Sequence, residues 1–223
     1  MDEPKVMLLV PLYRTIPSSS VASLLDVVSE VSNDGLYGGI AMQVDIFISD
    51  ARNLLAKAAV DAWLRGEATH ALWIDQDMTF PRGTLKKLLA HEVPVVSGLY
   101  YGRELIPVVF EFDPIIRIPE IPESGLAQVD GTGFGCLLME IGILHKMAET
   151  YGTLAWFQTP HEGNSVIHTG ADVFFFKRLK EMGIPAYLDC DIHLDHIASV
   201  AINHDLVTII RNAEGVIAKE HRR

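Results

Sequence analysis

ALWIDQDMTFP, residues 71–81, is the stretch on which the reading of this chain turns. Ala71 to Ile74 is a continuous apolar run, the pattern of a strand buried on both faces. It stops at Asp75-Gln76-Asp77. In an extended chain residues i and i+2 face the same side, so the two carboxylates aim at one point. Two such carboxylates repel each other unless a cation lies between them. Hard oxygen ligands suit Mg²⁺ or Mn²⁺, which take one or two carboxylates together with substrate phosphates. Pro81 then opens a helix. Asp-x-Asp alone also occurs in solvated surface turns, so its weight comes from its surroundings. An EF-hand is excluded, because Phe80 stands where that loop requires Gly.

The surroundings repeat the same unit. Val6 to Pro11 (VMLLVP) is another continuous apolar run. Val21, Leu24, Leu25 and Val28 recur at helical spacing until Asn33-Asp34-Gly35. Gln43 to Ile48 reads as a second strand. Ser49 caps a helix with Leu54, Leu55, Ala58, Ala62 and Trp63 on one face and Gly66 at its end. After the helix from Pro81 to about Ala90, Val93 to Ser97 is a fourth strand. The order βαβαβαβ predicts a mostly parallel sheet covered by helices. Beyond Gly98 the pattern is mixed. Short strands are expected at Pro107 to Phe112, Leu126 to Val129 and Ala186 to Leu188, with helices near Ile141 to Tyr151 and Asp172 to Met182. A hairpin is expected over Leu206 to Ile217. The expected fold is one α/β domain over 1–223, a Rossmann-like half (1–100) followed by a mixed half (101–223).

Composition narrows the partners. The 223 residues carry a formal charge of −11. That field repels nucleic acid, and it repels any polyanionic ligand unless a local cation reverses the sign. No apolar run approaches the roughly 18 residues that span a bilayer. Met1 to Lys5 lacks the features of a secretory signal. A cytoplasmic protein with at most peripheral membrane contact is the expectation. Cys136 and Cys190 are too few for a disulfide framework.

Three further motifs bear on chemistry. Asp50-Ala51-Arg52-Asn53 starts a helix, where an anion or nucleotide edge is favoured. A capping turn with a surface arginine is the plainer reading. Leu188 to His196 (LDCDIHLDH) offers a late histidine to complete a metal's ligands; the plainer reading is a polar loop. Gly131-Thr132-Gly133-Phe134-Gly135 lacks the third glycine of a dinucleotide fingerprint and lies mid-chain, so its glycines serve close backbone approach.

These residues together resemble the GT-A glycosyltransferases, in particular the short family-2-like enzymes of phages, viruses and microbes. The resemblance runs in chain order through VPLYR (10–14), DARNLLAKAA (50–59), LWIDQDMTFP (72–81), VSGLYYGR (96–103), GTGFGCLLME (131–140), AWF (155–157), GADVFFFKRLKEMGI (170–184) and LDCDIHLDH (188–196). It implies metal-dependent transfer of a sugar from a nucleotide-diphosphate sugar to an acceptor hydroxyl. Mn²⁺ or Mg²⁺ would be held by Asp75, Asp77 and His196. Donor contacts would come from Pro11, Tyr13, Arg14, Arg52, Gln76, Gly98 and Tyr101, and acceptor contacts from Gly133, Phe134 and Trp156. Asp172 would be the catalytic base. The family's usual Glu-Asp pair is here Ala171-Asp172.

Two alternatives use the same residues differently. A nucleotidyltransferase or pyrophosphate hydrolase would act at phosphorus, but VPLYRTIPSSS has one Arg and no Gly, unlike a Gly-rich basic loop. A carbohydrate-binding protein that has lost catalysis is the non-enzymatic alternative, and Ala171 is the feature that favours it.

Overall fold

The computed structural model describes residues 3–112, 116–117, 120–159, 170–199, 206, 208 and 209. The elements run β1 (Val6–Leu12), α1 (Ser18–Asn33), β2 (Tyr37–Val44), α2 (Ile48–Leu64), β3 (His70–Ile74), β4 (Met78–Thr79), α3 (Thr84–Ala90) and β5 (Val95–Leu99). Then come β6 (Val109–Glu111), β7 (Ile116–Arg117), β8 (Leu126–Val129), β9 (Gly131–Thr132) and β10 (Cys136–Glu140). The last are α4 (Ile141–Tyr151), α5 (Ala171–Glu181), β11 (Ala186–His193) and β12 (Asp195–His196).

The main sheet has seven strands in the order β2-β1-β3-β10-β5-β11-β8. β2, β1, β3, β5 and β11 run one way, while β10 and β8 run against them. β1, β3, β5 and β10 are buried along almost their whole length, so both faces of the sheet centre are covered. This is the mostly parallel α/β sheet that the repeated strand–helix pattern predicts. Among the described residues no helix is long and apolar enough to cross a membrane.

The structure corrects the sequence reading in several places; α2 starts at Ile48 with Phe47, not Ser49, as its N-cap, and α3 starts at Thr84, not Pro81. The second strand is Tyr37–Val44, not Gln43 to Ile48. Its Gly38 and Gly39 hide it from a propensity reading, and the in-register pairing of Leu8 with Ile40 and Leu12 with Val44 sets it. β10 directly follows the glycines of 131–135, where the sequence reading places no strand, and it inserts antiparallel between β3 and β5. β11 continues to His193, well past Leu188. The hairpin expected over Leu206 to Ile217 falls mostly outside the described residues, and Leu206, Thr208 and Ile209 are helical.

The core follows both faces of the sheet, and its aromatic part lies against α5. Trp73, Phe134, Phe157, Phe175 and Phe176 are fully buried there. Phe134 meets Trp73 at 5.3 Å and Phe175 at 5.1 Å, each edge to face, the arrangement that aromatic quadrupoles favour. Tyr100, 6% exposed, stands beside this cluster, and its hydroxyl accepts the Gly135 N–H at 3.3 Å. A Cβ on Gly133 would overlap the same hydroxyl. Gly133→Ala should therefore cost about 1–3 kcal/mol, the usual range for overpacking. Urea denaturation reads the loss, and Tyr100→Phe in the same chain should recover part of it.

Candidate active site at the carboxyl ends of the strands

The site forms where β1 and β3 run out. Asp75 follows β3 directly. Its N–H donates to the Gly135 carbonyl at 3.1 Å, and its carbonyl accepts the Met78 N–H at 3.2 Å, closing a turn. Gln76 points the other way, its Oε1 accepting the Tyr13 N–H after β1. β4 then pairs antiparallel with β12, so that His196 lies opposite Met78, and the Ile197 N–H donates to the Asp77 carbonyl at 2.7 Å. This pairing brings together residues 119 positions apart: His196 Nε2 lies 3.3 Å from Asp77 Oδ2.

The His196 tautomer is set by its other contact. Nδ1 lies 3.1 Å from the Tyr101 carbonyl, which can only accept, so Nδ1 carries the proton. A neutral ring then turns its Nε2 lone pair toward a carboxylate. Two acceptors face each other, and only a proton or a cation between them makes the contact favourable. Arg103 Nη2 also approaches Asp77 Oδ2, at 4.0 Å, from a side chain 73% exposed. Asp75 does not join them, because Arg52 Nη2 holds both its oxygens at 3.1 Å. Among the described residues, no three of His, Cys, Asp and Glu form a metal-binding cluster. Asp77 and His196 still fit a Mg²⁺ or Mn²⁺ ion whose other ligands are phosphate and water oxygens, since these ions commonly take only one or two protein ligands.

Arg52 is the centre of a second group. It is 3% exposed, on α2, and its guanidinium joins Asp75 to Asp172 at the start of α5. It also lies over the Phe134 ring at 4.8 Å. Burial opposes its charge, but the carboxylates of Asp172 and Asp75 outweigh burial and hold it protonated. Asp172 behaves differently. Burial pushes its carboxyl up, the Asp75 charge adds to this, and Arg52 with the Phe134 N–H oppose it. Tyr100, beside both acids, is pushed well up by burial. Gly170, rather than Asp172, caps α5, and Ala171 lies in the apolar core.

Beside these groups is a cavity of about 260 Å³ lined by Pro11, Tyr13, Phe47, Ile48, Asp75 and Gln76, among others. Tyr13 is 54% exposed and Phe47 84% exposed. Sequence reasoning missed Ile46, Phe47 and Ile48, because it placed them inside a strand. With β2 ending at Val44, Ile46 and Phe47 become the loop beyond its carboxyl end and Ile48 the first residue of α2, where open α/β sheets bind ligands. Arg14 lies outside this wall, and its N–H donates to Asp45 at 2.9 Å.

Several expected contacts are relocated. Arg52 faces both acids inward and has almost no surface for a donor. A Cβ on Gly98 would lie 2.7 Å from Ile192 Cγ2, so its glycine serves the packing of β5 on β11. Phe134 and Trp156 are 0% and 1% exposed, and Trp156 Nε1 donates to the Leu144 carbonyl at 2.8 Å. Both are core residues that no acceptor can touch, and Gly133 is closed off by Tyr100. Tyr101, 48% exposed, does present its side chain to solvent.

Removing Arg52 would leave two carboxylates facing one another. Arg52→Met should destabilise the fold by about 3 kcal/mol, the lower end for breaking a buried pair, because Asp75 and Asp172 each keep about a quarter of their side-chain surface (25% and 26%). The deficit should shrink in acid, where the carboxylates are neutral. Denaturant titrations at neutral and acid pH measure both effects.

No protein-family model and no curated protein matches the chain. Solved structures do. A197 from STIV aligns with a TM-score of 0.57 and 19% identity over 87% of this chain and 86% of that one. GalNAc-T7, solved with UDP, GalNAc and Mn²⁺, aligns at 0.55 and 8% identity over 88% of this chain. The aligned part is 43% of the GalNAc-T7 chain, under half its length. The catalytic domain of Drosophila β1,4-galactosyltransferase 7, in complex with xylobiose, aligns at 0.51 and 14% identity over 87% of this chain and 71% of that one. Identities this low establish the fold alone. The chain has the GT-A-like α/β fold shared with these structures.

Proposed function

We propose that this chain is a glycosyltransferase that moves a sugar from a nucleotide-diphosphate sugar to an acceptor hydroxyl. The observation that carries the reading is the opposition of Asp77 and His196 at the end of β3, beside an apolar cavity and the half-buried acid Asp172. A −11 protein needs a local positive centre to accept a diphosphate. Mn²⁺ or Mg²⁺ held by Asp77 and His196 would supply it, neutralising the charge that develops on the leaving diphosphate.

The chain's own residues do the rest. The nucleoside enters the cavity between Tyr13 and Phe47, with Pro11 and Gln76 as its floor. Tyr101 offers an exposed ring to a sugar face. Arg103 reaches the diphosphate from the side of Asp77. Arg52 fixes the direction of Asp172. Burial raises the proton affinity of Asp172, which makes it a better base than an ordinary aspartate. The acceptor oxygen forms a bond to the anomeric carbon, the bond from that carbon to the diphosphate breaks, and the acceptor's proton goes to Asp172. Attack opposite the leaving group inverts the anomeric centre. Residues 1–100 form the donor half and residues 101–223 the acceptor half, which also sends Tyr101, Arg103 and His196 toward the donor.

Asp172→Asn keeps the shape and removes the base. Turnover of the donor–acceptor pair should fall about 100-fold or more while nucleoside-diphosphate affinity is retained. Near wild-type turnover would remove Asp172 from the chemistry. The nucleotide product separates the reaction classes: sugar transfer releases a nucleoside diphosphate, and release of a nucleoside monophosphate instead would mean attack at phosphorus.

A further inference from the structure

β11 approaches the site through an irregularity. It runs parallel to β5 from Tyr187 opposite Val96 to Asp189 opposite Gly98, and then its register jumps, so that His193 lies opposite Leu99. A bulge of this kind bends a strand and re-aims the residues beyond it. Asp189 stands at its start and is 6% exposed. Its Oδ1 accepts the N–H of Asp191 at 2.8 Å and of Ile192 at 3.2 Å. Its Oδ2 accepts from His91 Nε2 at 2.7 Å, and His91 ends α3. One carboxylate thus ties the turn of the bulge to a helix that packs on β5.

The other side of the bulge is equally constrained. A Cβ on Gly98 would lie 2.7 Å from Ile192 Cγ2 and 3.0 Å from Leu194 Cδ1, so the bulge closes on β5 only because position 98 has no side chain. Past the bulge, the Leu194 N–H donates to the Leu99 carbonyl at 2.8 Å. β12 comes at once and delivers His196 to Asp77. The chain between Asp189 and His196 has no slack: the place where the bulge is held fixes where the imidazole arrives.

We propose that Asp189 is a positioning residue for the candidate cation pair: by holding the β11 bulge against β5 it aims His196 Nε2 at Asp77. The inference rests on reading Asp77 and His196 as cation ligands, yet the aim of the ring is measurable without a metal. Asp189 is almost wholly buried, and its carboxylate is held by His91, Asp191 and Ile192. It acts at a distance of several bonds, as groups behind metal ligands do when they fix the orientation of an imidazole.

The test is long-range ¹H–¹⁵N NMR of the His196 ring in the full chain, at a pH where the ring is neutral, with His196→Gln to assign it. The wild type should show one tautomer, protonated at Nδ1 toward Tyr101. Asp189→Ala should replace it with a mixture, and Mn²⁺ added alone should broaden the His196 signals only at a roughly 10–100-fold higher concentration. Asp189→Asn keeps an Oδ1 acceptor for Asp191 and Ile192 and should preserve the single tautomer. Gly98→Ala lifts Ile192 off β5 with the Asp189 contacts chemically intact, and it should reproduce the effect of Asp189→Ala. Gly98→Ala decides the matter if Asp189→Ala does not fold. An unchanged His196 tautomer in Asp189→Ala or, where that chain does not fold, in Gly98→Ala overturns the proposal. An ordered wild-type ring that Mn²⁺ never broadens overturns the cation reading instead, and the tautomer comparison still decides the role of Asp189.

Discussion

The interaction on which this structure depends is the buried guanidinium of Arg52 between Asp75 and Asp172. These residues come from α2, from the end of β3 and from the start of α5, so three separated pieces of chain meet on one charge. Burying that charge is costly unless both partners stay in place. The arrangement fixes the direction of Asp172, takes Asp75 away from Asp77, and presses the guanidinium onto the Phe134 ring that organises the aromatic core. Fold and site therefore share one group. A change at Arg52 that removes function will also be felt in stability.

A second constraint governs the other side of the site. The short pairing of β12 with β4 carries His196 to Asp77 across the sheet, and the bulge in β11 sets its reach. Arg103 and His196 both turn toward the same oxygen of Asp77. With Asp75 occupied by Arg52, Asp77 is the carboxylate left facing outward to attract a cation. The apolar cavity, lined in part by Asp75 and Gln76, lies beside this carboxylate, so under the proposed function an uncharged pocket would adjoin a charged one.

Much of the fold was legible because its strands are buried on both faces and read as unbroken apolar runs. β1, β3 and β5 were found in this way, and the Asp-Gln-Asp element announced where β3 ends. β2 was misplaced because Gly38 and Gly39 carry no propensity signal, and its position is set by pairing with β1. β10 was missed for a related reason: Cys136 to Glu140 comes after a glycine cluster, and only its place between β3 and β5 makes it a strand. At the site, the approach of His196 to Asp77 was expected from the late histidine motif, whereas the inward turn of Arg52 was not, because no local pattern distinguishes a buried helix-start arginine from an exposed one. Phe134 and Trp156 show the general hazard: aromatic residues near a site in sequence are more often its foundation than its surface.

The central claim is that Asp77 and His196 form a cation site that a nucleotide diphosphate completes. Calorimetric titration of a panel of nucleoside diphosphates, each with and without Mn²⁺, tests it most directly. The account predicts that at least one diphosphate binds about tenfold or more tightly with Mn²⁺, a gain of about 1.4 kcal/mol, and that Asp77→Asn abolishes the gain. Equal affinity with and without Mn²⁺ across the panel would contradict it.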